Sequence, residues 1–281
     1  MTDRPDATPP QPSARCSVTK VSRRALLETG AAALLVGCSG TGPAASPRPI
    51  GQPSSSEATA TGRRPQVPRQ SAALPSAPPG GAPAKEIGRG RGRRPEVALT
   101  FHGAGDPALA RQVLAVLAAH HARATVLAVG TWLAGQTALG HAILAAGHDL
   151  GNHTWSHPTL ADLARAATRT EIQRCRKVLV EVGGSPGRFF RPSGGQRSTA
   201  LIRELAGAAG YPVCLSYDID SLDWTDPGPA AIRHNTLAAT AGSIVSLHLG
   251  HPGTVAAMPG ILADLRDRGL RPVTATELLR P

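Results

Sequence analysis

Two histidines four residues apart, in the run Asn152-His153-Thr154-Trp155-Ser156-His157, are the pair in this sequence best spaced to share a metal ion. On a helical turn, residues i and i+4 lie on one face, so both imidazoles would converge on one point. A catalytic zinc site takes a third protein ligand and leaves a position open for water, whose pKa then falls toward neutrality. On the pair alone, solvated turn histidines are the simpler reading. The question is what else the fold brings to the same place.

From residue 95 onward, short apolar runs alternate with longer stretches of helical period. Strands are expected at Val97–Phe101 and Ala124–Val129, then near 148–151, 188–190, 212–217, 243–248 and 271–274. Helices are expected over Pro107–His121 and near 137–146, 159–182, 198–209, 229–240 and 257–269. Alternation of this kind predicts a parallel α/β sheet or barrel covered by helices, a fold that carries its chemistry at the strand C-termini. His102 and Asp106 follow the first strand, His153 and His157 the third, Arg191 the fourth, Asp218 to Trp224 the fifth, and His248 closes the sixth. One rim would therefore collect all of these residues, which is the mark of an active site.

Taken together, these rims resemble the polysaccharide deacetylases, the NodB-homology group of carbohydrate esterase family 4, over essentially residues 95–281. Val97–Phe101 is similar to the strand that leads into the family's Thr-Phe-Asp-Asp-Gly motif. His153–His157 fits its His-Ser/Thr-x-x-His metal motif. Phe190–Gly195 resembles its Arg-Pro-Pro-x-Gly groove wall, with Ser193 at the second proline. Asp223-Trp224 and Leu247-His248 fit the Asp-Trp and Leu-His motifs. The resemblance implies a deformed (β/α)7 barrel and removal of acetyl groups from an N-acetylated polysaccharide, with Zn2+ or another divalent metal as cofactor. By motif position, His153 and His157 would bind the metal and His248 would be the general acid. Arg191 and Asp223 would orient the acid–base pair, and Trp224 would line the acetyl pocket.

The first motif departs from that pattern. His102 and Gly103 stand where the family has two aspartates, one a base and one a metal ligand, in Thr100-Phe-His-Gly-Ala-Gly-Asp106. Glycine has no side chain to ligate with. One reading makes His102 or Asp106 the third ligand, the Gly-Ala-Gly turn folding the carboxylate back, and the other residue the base. A second makes the domain an inactive relative that holds glycan, and a third a hydrolase of a different ester or amide. Asp218 and Asp220 are further groove candidates, although their alternation also suits a strand end with one carboxylate solvated. His251 is close enough in sequence to His248 to add an imidazole at the rim. His120 and His121 end a helix, where cations suit the dipole, and His141, His148 and His234 read as solvated or packed.

The first third of the chain is of another kind. All eight aromatics and all ten histidines lie after residue 94, whereas residues 1–94 hold 14 of the 26 prolines. Ser22-Arg23-Arg24 followed by an apolar run to Val36 has the form of a twin-arginine export signal, too short to span a bilayer. Leu35-Val36-Gly37-Cys38 resembles a lipobox, so residues 1–38 are expected to be a lipoprotein signal with Cys38 lipidated. That expectation places the protein outside the cytoplasm, held at the bacterial cell membrane through a lipid anchor. Residues 39–94, with nine basic and two acidic side chains, read as a disordered Pro/Ser/Gly/Arg-rich tether, leaving residues 95–281 as the deacetylase-like domain. The high pI belongs to the leader and tether: residues 95–281 carry 16 Lys and Arg against 14 Asp and Glu, with no basic stripe interleaved with aromatics, so no nucleic-acid partner is expected. Cys175 and Cys214 are as compatible with two buried thiols as with a disulfide.

Overall fold

The computed structural model describes residues 81–281. The twin-arginine segment, Cys38 and the tether up to residue 80 lie outside the described residues.

Among the described residues the chain forms one parallel nine-stranded sheet with helices packed against it. In chain order these are β1 (Lys85–Ile87), β2 (Glu96–Gly103), α1 (Pro107–Ala119), β3 (Thr125–Ala128), α2 (Gly130–Gly135), α3 (Thr137–Ala145), β4 (Asp149–Asn152), α4 (Arg165–Gly183), β5 (Phe189–Phe190), α5 (Ala200–Ala208), β6 (Val213–Leu215), β7 (Ile219–Asp220), α6 (Pro229–Thr236), β8 (Ile244–His248), α7 (Pro252–Asp267), β9 (Arg271–Val273) and α8 (Ala275–Leu278). The order β1-β6-β5-β4-β3-β2-β8-β7, with β9 beside the start of β2, is that of a deformed β/α barrel. No helix of the described residues is long and apolar enough to cross a membrane.

Strand β2 shows how the alternation works. Val97, Leu99 and Phe101 are fully buried in the layer shared with α1, α4 and α7, while Ala98 belongs to a separate apolar cluster with Leu127, Leu215 and Ile244. Above Ala98 on the same face come Thr100 and then His102, so the interior changes from apolar to polar toward the strand C-termini. Local chemistry sets the helix ends. Asp106 caps α1 by accepting from Ala108 N at 2.7 Å, with Pro107 in the first turn, and α4 ends at Gly184 in the left-handed region at φ 68°.

The fold corrects three expectations. The ordered domain begins before residue 95, because β1 pairs in parallel with β6, which sequence period could not show for three residues in an arginine-rich run. Arg89 then bridges to Ser243 at the foot of β8 and bonds Asp218, Ser243, Thr240 and the Ala241 carbonyl, so this segment fastens the two ends of the sheet together. The long helix expected from 159 is a short 3-10 turn, Leu160–Asp162, followed by α4. His153 and His157 lie in a loop, not on a helical turn. Cys175 and Cys214 are both buried free thiols, pushed up to about 12 chiefly by burial.

Candidate metal and acid–base site

The loop after β4 is held from below. Asn152 is fully buried and donates through Nδ2 to Ile172 O and Tyr211 Oη, both at 2.9 Å, while its Oδ1 accepts from Thr154 N. Glu171 on α4 accepts from Trp155 N, Ser156 N and Ser156 Oγ, each at 2.8 Å. These bonds sustain Thr154 and His157 at φ 67° and 60°, a conformation that costs about 1 kcal/mol or more for a residue with a Cβ. The result is that the two rings meet, with His153 buried and His157 still exposed. Glu171 has no signature in the sequence, since nothing in one helix marks which carboxylate will reach a loop 15 residues earlier.

His102 arrives from the adjoining strand end, where β2 pairs residue for residue with β8 and sets His102 beside His248. Its ring centroid is 4.2 Å from that of His153 and 4.3 Å from that of His248, and His153 is 4.9 Å from His157. One ligand nitrogen from each of His102, His153 and His157 lies within 4.8 Å of the other two. His153 Nδ1 is 3.0 Å from the Arg191 carbonyl, which can only accept, so the proton sits on Nδ1 and Nε2 carries the lone pair. Among the described residues the Nε2 atoms of His102 and His153 are buried without a hydrogen-bond partner. Burial, reinforced by neighbouring imidazoles, holds His102 and His153 well below the ordinary histidine range, and burial also lowers His157. His153 Nε2 is thus a neutral, buried lone pair of the kind a divalent zinc-class cation requires, and a ring nitrogen from each of His102 and His157 stands within reach of it, so the three residues fit a metal.

The structure keeps Asp106 out of this group, its carboxylate being spent on capping α1. At position 103 a Cβ would meet Val126 Cγ1 at 2.9 Å, Ala128 Cα at 3.1 Å and Trp132 Cζ3 at 3.2 Å, so the strand has closed over the place where a carboxylate would stand.

His248 is engaged by Asp223: Nδ1 lies 2.7 Å from Oδ1, and the His248 backbone N donates to Oδ2 at 2.7 Å. Thr254 Oγ1 also donates to Oδ2, at 2.6 Å. Burial pushes the Asp223 carboxyl up, but the bonds from His248 and Thr254 outweigh it and leave it below the usual carboxylate value. Arg191 is fully buried and reaches neither His248 nor Asp223. Its Nε donates to Leu215 O at 2.7 Å and its Nη2 to Thr100 Oγ1 at 2.9 Å, while Nη1 has no partner among the described residues. A second imidazole–carboxylate pair, His251 Nδ1 to Asp226 Oδ1 at 2.8 Å, stands at the rim beside His248.

These groups open on a cleft of ≈ 380 Å³ lined by His102, His157, Pro192, Gly194, Gly195, Gln196, Tyr217, Asp220, Trp224 and His248. Trp224 is 55% exposed, an apolar platform at the mouth. Asp220 does line the groove, whereas Asp218 turns away to Arg89, Ser243 and Ile244 N. Tyr217 and Gln196 are additions that only the fold supplies.

A fold of this kind, with metal-competent histidines and an Asp–His pair at the strand C-termini, belongs to the polysaccharide deacetylase family, whose sequence pattern matches residues 89–214. Within it the chain is 35% identical over 189 residues to a peptidoglycan-N-acetylglucosamine deacetylase of Bacillus cereus, covering 66% of this chain and 88% of that protein. It is 30% identical over 194 residues to a chitooligosaccharide deacetylase of Rhizobium leguminosarum bv. phaseoli, covering 63% and 84%. A carbohydrate esterase family 4 pseudoenzyme from Bacillus anthracis shares the fold with a TM-score of 0.66 at 23% identity, over 70% of this chain and 69% of that one.

Proposed function

We propose that this chain is a metal-dependent hydrolase, with zinc as its metal, that removes N-acetyl groups from cell-wall or related polysaccharide. The observation that carries the reading is the convergence of His102, His153 and His157 within 4.8 Å at a cleft that also receives His248 on its Asp223 support. Zinc held by the three imidazoles would polarise the acetamide carbonyl and make water a better nucleophile. The chain's own side chains do the rest. Asp223, with both oxygens occupied, fixes the His248 ring so that Nδ1 is bound and Nε2 is left for the substrate. From there His248 protonates the amide nitrogen as the C–N bond breaks, and the sugar leaves as a free amine. Trp224 offers a face for the sugar and its acetyl group. Peptidoglycan and chitin-like oligomers are the substrate classes on which the named relatives support this reading.

The twin-arginine run and Cys38 support an extracytoplasmic, membrane-anchored lipoprotein, with the basic segment before the domain as its tether.

The test is zinc content by elemental analysis together with acetate release from peptidoglycan fragments and tetra-N-acetylchitotetraose. About one zinc per chain with acetate release, both lost in His153→Ala, is expected. Polysaccharide retention without turnover would identify a glycan-holding relative, and turnover confined to small esters a different hydrolase.

A further inference from the structure

Hydrolysis of an amide needs a group to accept the proton of the attacking water as well as one to protonate the nitrogen. With the His102 ring turned to the other two ligands, the first role is filled by neither residue the sequence offered as the base, His102 or Asp106. The carboxylates around the site can be taken in turn. Asp106 caps α1. Asp223 has its oxygens filled by His248 and Thr254. Asp218 is consumed by Arg89, Ser243 and Ile244 N, and Asp226 is bound to His251 on the outer rim. Asp220 remains, and it lines the same cleft as His102, His157 and His248.

We propose that Asp220 is the proton acceptor that replaces the missing aspartate of the first motif; the proposal rests on the deacetylase reading above. Register places it correctly. Asp220 on β7 pairs with Ser246 on β8, and His248, two residues on, pairs with His102 on β2. Paired residues of parallel strands share a face, and so do residues two apart, so Asp220 joins His248 and His102 on the interior side. Its Oδ1 accepts from Leu222 N at 3.0 Å, and among the described residues its Oδ2 meets only the Tyr217 hydroxyl, at 3.5 Å, which leaves that oxygen free to take a proton. The buried Arg191, with its unpartnered Nη1 and its guanidinium 5.2 Å from the Tyr217 ring, has Asp220 and Glu86 as the carboxylates that act on it. In the step, the water oxygen bonds the acetyl carbon while its proton passes to Asp220. The C–N electron pair then goes to nitrogen, which takes a proton from His248. Asp220 afterwards returns its proton to solvent, and His248 takes one up.

Asp220→Asn tests this on the full-length chain loaded with zinc, with tetra-N-acetylchitotetraose as substrate. Asparagine keeps the acceptor for Leu222 N and so keeps the turn, but cannot take the proton. The expected result is a fall in kcat of roughly 10²- to 10⁴-fold, with KM, zinc content and Tm unchanged and partial recovery in Asp220→Glu. Should asparagine not fold, Asp220→Ser preserves the same backbone contact. Retained kcat would overturn the proposal and leave the deacetylase reading standing, as would loss of zinc or a lowered Tm, which marks a structural role. Absence of acetate release by the unaltered zinc-loaded chain would overturn both.

Discussion

The imidazoles of His102 and His153 lie 4.2 Å apart, centroid to centroid, and each buries an Nε2 that no group among the described residues satisfies. Buried ring nitrogens left without a partner would cost about 1–3 kcal/mol each if nothing ever filled them. His102→Ala and His153→Ala are therefore expected to lose zinc outright. Asp106→Ala should keep it, and should lower stability by about 1 kcal/mol through loss of the α1 cap. Elemental analysis and thermal melts on the three variants read both effects.

Glu171 is not one of the three residues that could hold the metal, yet three of its contacts hold the loop that carries His157 to His153. Glu171→Ala should weaken zinc binding by roughly 10- to 100-fold, as for other residues that orient ligands from behind. Competition with a chromophoric chelator measures it, and unchanged affinity would remove Glu171 from the site.

Restoring the family's carboxylate at position 103 should fail. Gly103→Asp drives a Cβ against Val126, Ala128 and Trp132, and overpacking of this kind costs about 1–3 kcal/mol. A lowered Tm with unaltered zinc stoichiometry is expected, whereas a stable variant with tighter zinc would mean that the strand end can open to accept the side chain.

Residues 85–94 are part of the fold. A chain beginning at residue 95 loses β1, the Arg89 fastening and the Arg94 contacts to Glu96 and to the Glu277 and Leu278 carbonyls. It should melt well below a chain beginning at residue 81, and equal melting curves would restore the later boundary.

His148 is packed 4% exposed with Nδ1 accepting from Ala124 N, and burial, with Arg123 nearby, holds it down to about 4. Between pH 6.5 and 4 the unfolded chain therefore binds a proton that the folded chain does not, so stability is full above about 6.5 and falls as the pH drops. The loss from this residue reaches about 3 kcal/mol near pH 4, or roughly 6–12 °C in Tm. Melts across this range for the parent and for His148→Gln isolate its share, since the buried His102 and His153 are common to both.

Sequence alone determined the α/β alternation and the gathering of His102, His153, His157, Asp223 and His248 at one rim, because a parallel sheet delivers every strand C-terminus to the same side. It also determined that glycine at 103 could ligate nothing. What it left open was the choice between His102 and Asp106, and there the two part by local geometry: Asp106 is consumed by the first turn of α1, while the register of β2 against β8 places His102 among the other imidazoles. Tertiary structure alone decided the clamp by Glu171, the position of Asp220 and the fastening by Arg89. Each depends on contacts between segments from 15 to more than 100 residues apart, and periodicity carries information only about neighbours along one element.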